Sequence, residues 1–125
     1  MRRLLLVLAL GLLAGCVNGN SYPKTYAANY CVALFTCVDA NEIEFWTNYD
    51  DEDDCKADLQ EEMEGSTVYD EFQEGDRTFD PDNADACINE VAQIRDDPDC
   101  GDMNIVAFLA DAATDECNEV YPTAE

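Results

Sequence analysis

Beyond an apolar opening run, apolar side chains recur along this chain mostly with the 3.6-residue period of helices. Thr25 can cap a first helix running to about residue 39, where Tyr30, Leu34 and Cys37 form a stripe beside Ala27, Cys31 and Val38. Residues 41–49 place Ile43, Phe45, Trp46 and Tyr49 among polar neighbours. They read as a helical turn or loop whose aromatics, the sole tryptophan included, fold over the core. A second helix starts near Asp50. Asp50, Asp51, Glu52, Asp53 and Asp54 crowd its first turn, where the helix dipole favours anions, and Cys55, Leu59 and Met63 share one face. Gly65, Thr67 and Val68 weaken that pattern, so the helix either stops there or continues through Tyr69 and Phe72 to Gly75.

Residues 76–79 read as short and extended. Asp80 and Pro81 then open the cleanest stripe of the chain: Ala84, Cys87, Ile88, Val91 and Ile94. Pro98 and Gly101 mark residues 96–102 as a loop. After it, Asn104 as a cap and alanines at 107, 110, 112 and 113 favour a helix over a strand. No internal repeat or second domain interrupts this order. The expected fold is all-α, a small disulfide-stapled bundle of about four helices with irregular loops.

The opening run has its own signature. Arg2 and Arg3 precede residues 4–13, which carry no polar side chain. That length of about ten residues falls short of the ~20 a spanning helix needs. Basic start, short apolar core and small residues form the pattern of an export signal. It closes on Leu13, Ala14, Gly15 and Cys16, which resembles the lipobox of bacterial lipoproteins at all four positions. The resemblance implies a diacylglycerol joined to the Cys16 thiol and a cut between Gly15 and Cys16. It also implies a third acyl chain on the freed amine, with no other cofactor. Val17, where an Asp would mark inner-membrane retention in the enteric pattern, leans the expected address toward the outer membrane or cell surface.

Residues 16–22 then read as a lipidated tether, 23–121 as the domain and 122–125 as a loose tail. Cys31, Cys37, Cys55, Cys87, Cys100 and Cys117 remain, an even set in an exported domain, and read as three disulfides. Cys31 and Cys37 lie about 120° apart around one helix and should reach different partners. Six cysteines leave many connectivities open; the first choice is Cys87 with Cys100, Cys37 with Cys55, and Cys31 with Cys117. Thiolate metal binding is disfavoured, since the chain has no histidine and no Cys-x-x-Cys pair.

All 29 acidic residues follow the cut, against four basic ones (Lys24, Lys56, Arg77 and Arg95), so the cleaved chain carries a charge of −25. Such a chain repels nucleic-acid phosphates and anionic headgroups. Its partners are expected to be the membrane through the lipid anchor, a basic protein or divalent cations, and the chain itself a monomer.

One ligand-like string stands out. Asp50, Glu52 and Asp54 fill the first, third and fifth places of an EF-hand count, and Glu61 the twelfth. Cys55 stands where the loop needs glycine, and Asp80, Asp82 and Asp85 form a second incomplete string. Both read better as helix starts. Without histidine there is no Ser-His or Cys-His relay, and no glycine-rich phosphate loop occurs, so the expectation is a non-enzyme. A carboxylate-based hydrolase of the envelope is the alternative, and a weakly cation-binding surface coat a third reading.

A second resemblance covers the middle of the chain. Gly75-Asp76-Arg77-Thr78-Phe79-Asp80 followed by Ala84-Asp85-Ala86-Cys87 is similar to a step found in small six-cysteine lipoproteins of myxobacteria and relatives, a group with no assigned activity. Asp76 departs from it, where those chains usually carry a basic residue. The functional expectation is a lipid-anchored envelope protein with a binding or structural accessory role.

Overall fold

Capping side chains set where the helices begin. In a computed structural model of the chain, which describes residues 17–124, Asp39, Asp51, Ser66, Asp80 and Asn104 each accept a hydrogen bond from a backbone N–H of the first turn that follows. Each such cap is worth about 1 kcal/mol. The helices are α1 (Tyr22–Cys37), α2 (Ala40–Trp46), α3 (Glu52–Glu64), α4 (Thr67–Glu74) and α5 (Pro81–Asp96). A 3₁₀ turn (Cys100–Asp102) leads to α6 (Ile105–Ala112) and α7 (Asp115–Asn118). The fold is all-helical and disulfide-stapled as expected, with shorter helices added to the long α1, α3 and α5. The stretch that could stop or continue stops: Gly65 ends α3, Ser66 caps α4, and α4 ends on Gly75 in the left-handed conformation at φ 88°.

α1 packs against both α3 and α5, α5 also packs against α6 and α7, and α6 closes on α1 through Phe108. That position explains why burial on α1 spreads beyond one stripe, to Tyr22, Pro23, Ala27, Cys31, Ala33, Leu34 and Cys37. The expected Thr25 cap is displaced: the N-cap position of α1 falls on Ser21, four residues earlier. Asn18 and Ser21 close the turn ahead of it, Asn18 Oδ1 accepting from Ser21 N at 2.9 Å and Asn18 O from Tyr22 N at 2.9 Å.

The three disulfides are Cys31–Cys55, Cys37–Cys100 and Cys87–Cys117, with Cα separations of 5.9, 4.8 and 4.9 Å. Cys31 and Cys37 do reach different partners, but the first-choice pairing is corrected at every bridge. Cys87 stands nine residues before the end of α5, about 14 Å along the axis, so Cys100 beyond that end is out of disulfide reach. Extended backbone at Val38 and Asp39 ends α1 before α2, and α3 then packs along α1 with Cys55 at Cys31, leaving Cys37 to the 3₁₀ turn. Cys117 sits on the α5 side of α1 and Cys31 faces α3, which separates that expected pair.

The terminal segments are also corrected. Val17 packs against the domain rather than acting as a free spacer, and Gly19 sits so close to Phe72 that a Cβ there would collide with the ring. Residues 122–124 are not loose: Thr78 N donates to Pro122 O at 2.9 Å, Ala124 N to Asp76 O at 3.0 Å, and Arg77 pairs antiparallel with Thr123. The extended segment 76–79 supplies the edge that holds them. Cys16, the cut after Gly15 and residue 125 lie outside the described residues.

Candidate functional site

Two clusters fill the interior. The larger joins Cys31, Leu34, Val38, Ile43, Cys55, Val91, Ile105 and Phe108. The smaller gathers aromatics at the N-terminal end of α1: Tyr22 and Tyr121 buried, with Phe72, Phe79 and Tyr69 against them. Tyr121 meets Tyr22 edge-on at 5.8 Å and Phe72 at 5.0 Å, and its hydroxyl donates to Gly19 O at 2.7 Å. Burial pushes the Tyr22, Tyr26, Tyr30 and Tyr121 hydroxyls above the ordinary phenol range, because the charged phenolate would be desolvated.

The opposite end of α1 behaves differently. Val38, Asp39 and Ile43 make a hydrophobic staple around the α2 cap, and Ile43 alone of the α2 side chains is buried. Phe45 and Trp46 point outward, 78% and 61% exposed, stacked edge-on at 5.4 Å. The expectation that these aromatics fold over the core is therefore corrected: a helix only seven residues long, pinned by Ile43, turns them away.

α2 also holds α6. Glu42 Oε1 accepts from Ile105 N at 2.8 Å, placing a carboxylate at the positive end of that helix. Trp46 lies one turn beyond Glu42, and Val106 follows Ile105. Val106 and Leu109 of α6 are 65% and 48% exposed, so four large apolar side chains stand uncovered on two touching helices. The same two helices also carry exposed acids, Glu44 on α2 and Asp111 on α6. This is the kind of apolar surface that marks an interaction site.

The calcium candidates are used otherwise. Asp51 caps α3, Asp54 Oδ2 accepts from Asp50 N at 2.9 Å, and Glu52 pairs with Lys56 at 3.0 Å. Residues 52–64 being helical, Glu61 stands two turns beyond Asp54 and does not close a loop around it. Asp80 likewise caps α5. No charged side chain among the described residues is buried. An acidic hollow, lined by Glu90, Asp97 and Asp111 with Gln93, Ile94 and Met103, exposes all three carboxylates.

An apolar groove of about 440 Å³ opens beside the aromatic cluster. Tyr22, Tyr26, Leu59, Met63, Val120 and Tyr121 supply most of its wall, and Glu62 is its single charged lining residue. No local pattern announces it, since its walls come from α1, α3, α4, α6, α7 and the C-terminal segment together. No family model, curated protein or solved structure matches the chain.

Proposed function

We propose that the chain is a lipid-anchored binding protein of the bacterial envelope. Diacylglycerol on Cys16 holds it at the outer membrane or cell surface. Phe45, Trp46, Val106 and Leu109 meet a protein partner with a basic rim. The observation that carries this reading is the uncovered Phe45–Trp46 pair. Exposed stacked aromatics in a domain charged to −25 after cleavage fit an apolar anchor ringed by acids. Phe45 and Trp46 come after the C-terminal end of α1, which lies about 22 Å along that helix from Tyr22 and the end on which Val17 packs. Acids spread over the surface, with none buried among the described residues, favour a binder over a carboxylate hydrolase.

Two measurements test it. Intact mass of protein purified from membranes should show loss of residues 1–15 and gain of two or three acyl chains; an unmodified Cys16 contradicts the anchor. Capture from the native envelope at low salt should recover one basic protein with the wild type. The F45A/W46A variant, folded by circular dichroism, should lose it, and equal capture by both contradicts the binding surface.

A further inference from the structure

We propose that the apolar groove beside the aromatic cluster holds one of the acyl chains on Cys16 whenever the protein is in water rather than in a bilayer, an inference that rests on the lipid-anchor reading above. Position is the first reason. Tyr22, Val120 and Tyr121 belong both to the groove wall and to the cluster on which Val17 packs. Val17 is the first described residue, and one residue of backbone, at most about 3.6 Å, separates it from Cys16. The corrected tether matters here: with Val17 docked and the turn at Asn18 to Ser21 hydrogen-bonded, no free spacer carries the lipid away from this end of the bundle.

Chemistry is the second reason. The groove falls in the size range of small-molecule sites, and Leu59, Met63, Val68, Ala112 and Val120 give it aliphatic walls. Val68, 40% exposed, is an apolar side chain that an occupant would cover. Glu62 selects the kind of chain. A carboxylate at the wall of a strongly acidic domain repels a free fatty acid or an anionic headgroup, whereas an ester-linked chain is neutral. The chain on Cys16 is neutral and already tethered, so its effective concentration at the groove far exceeds that of any free lipid. The arrangement shields one chain while the protein crosses an aqueous compartment and releases it when a bilayer is at hand.

The sequence supplies a direct test. Once the leader is removed, Met63 in the groove and Met103 in the distant acidic hollow are the two methionines left. Full-length protein is produced with photo-methionine, processed by its own host, freed of detergent and irradiated. Peptide mass spectrometry should find the Cys16 acyl chain joined to position 63 and not to position 103. The join should be lost in A113F, which fills the groove from an exposed position, while the acyl mass on Cys16 stays unchanged. Acylated protein without a join at 63, or with equal joins at 63 and 103, overturns the groove proposal alone. Adding vesicles before irradiation should abolish the join between the Cys16 chain and position 63, and a join that persists overturns the release. Protein lacking acyl mass on Cys16 overturns the anchor reading and this proposal together.

Discussion

The two ends of α1 use aromatic side chains in opposite ways. At the N-terminal end Tyr22, Phe72, Phe79 and Tyr121 stack inward, and Cys87–Cys117 closes over them, the Tyr22 hydroxyl 3.2 Å from Cys87 Sγ. At the C-terminal end Cys37–Cys100 and Ile43 do the packing, and Phe45 and Trp46 are left to solvent. The lesson is that aromatic content does not by itself say core. What decides is whether a segment has enough apolar positions on one face to pull the rings in. The 76–80 and 120–124 segments bring partners to Tyr121; α2 has one anchor, Ile43, and two rings with nothing over them.

Substitutions at the two ends and between them should rank accordingly. F108A removes a fully buried ring from the larger cluster, edge-on to Tyr30 at 5.2 Å, and should cost about 3–5 kcal/mol in denaturant unfolding. Replacing Cys87 and Cys117 by alanine should cost about 2–5 kcal/mol and loosen the aromatic end before the rest, seen as faster amide exchange in residues 17–22 and 118–124.

Alkali should act through the buried phenols. Tyr22, Tyr26, Tyr30 and Tyr121 hold their protons more tightly folded than unfolded. Their contribution to stability is therefore complete below the unfolded value near 10 and is lost as pH rises above it. Phenolate absorbance should lag behind that of free tyrosine and rise together with unfolding; ordinary titration of all the tyrosines near pH 10 would contradict this packing.

Y121F removes only the hydrogen bond to Gly19 O and should cost about 0.5–1.5 kcal/mol. F45A should change stability by no more than about 0.5 kcal/mol, since the ring is exposed. On the proposed binding role its effect falls on partner affinity, where loss of such an anchor should cost about 2 kcal/mol or more.

Much of this fold was legible in the helical period and the caps. Asp80-Pro81, Asn104 and the acidic run before Cys55 mark three helix starts, and the stripe of Ala84, Cys87 and Val91 is the buried face of α5. The disulfide pairing was not legible, because it depends on α3 and the 3₁₀ turn packing on α1 and α7 packing on α5, which no local pattern encodes. The fate of the aromatics was half legible. Val38-Asp39 with Ile43 is a staple, and read as such it leaves Phe45 on the far side of a short helix. The groove was invisible for a different reason: six separate segments build it, and none is unusual alone.

Trp46 is the only tryptophan, so its fluorescence reports on this one position. Acrylamide quenching of the oxidised, partner-free protein should be nearly as efficient as that of a free tryptophan analogue, with emission close to that of the analogue. A blue-shifted emission protected from acrylamide would place Trp46 in the core and remove the surface on which the binding role rests.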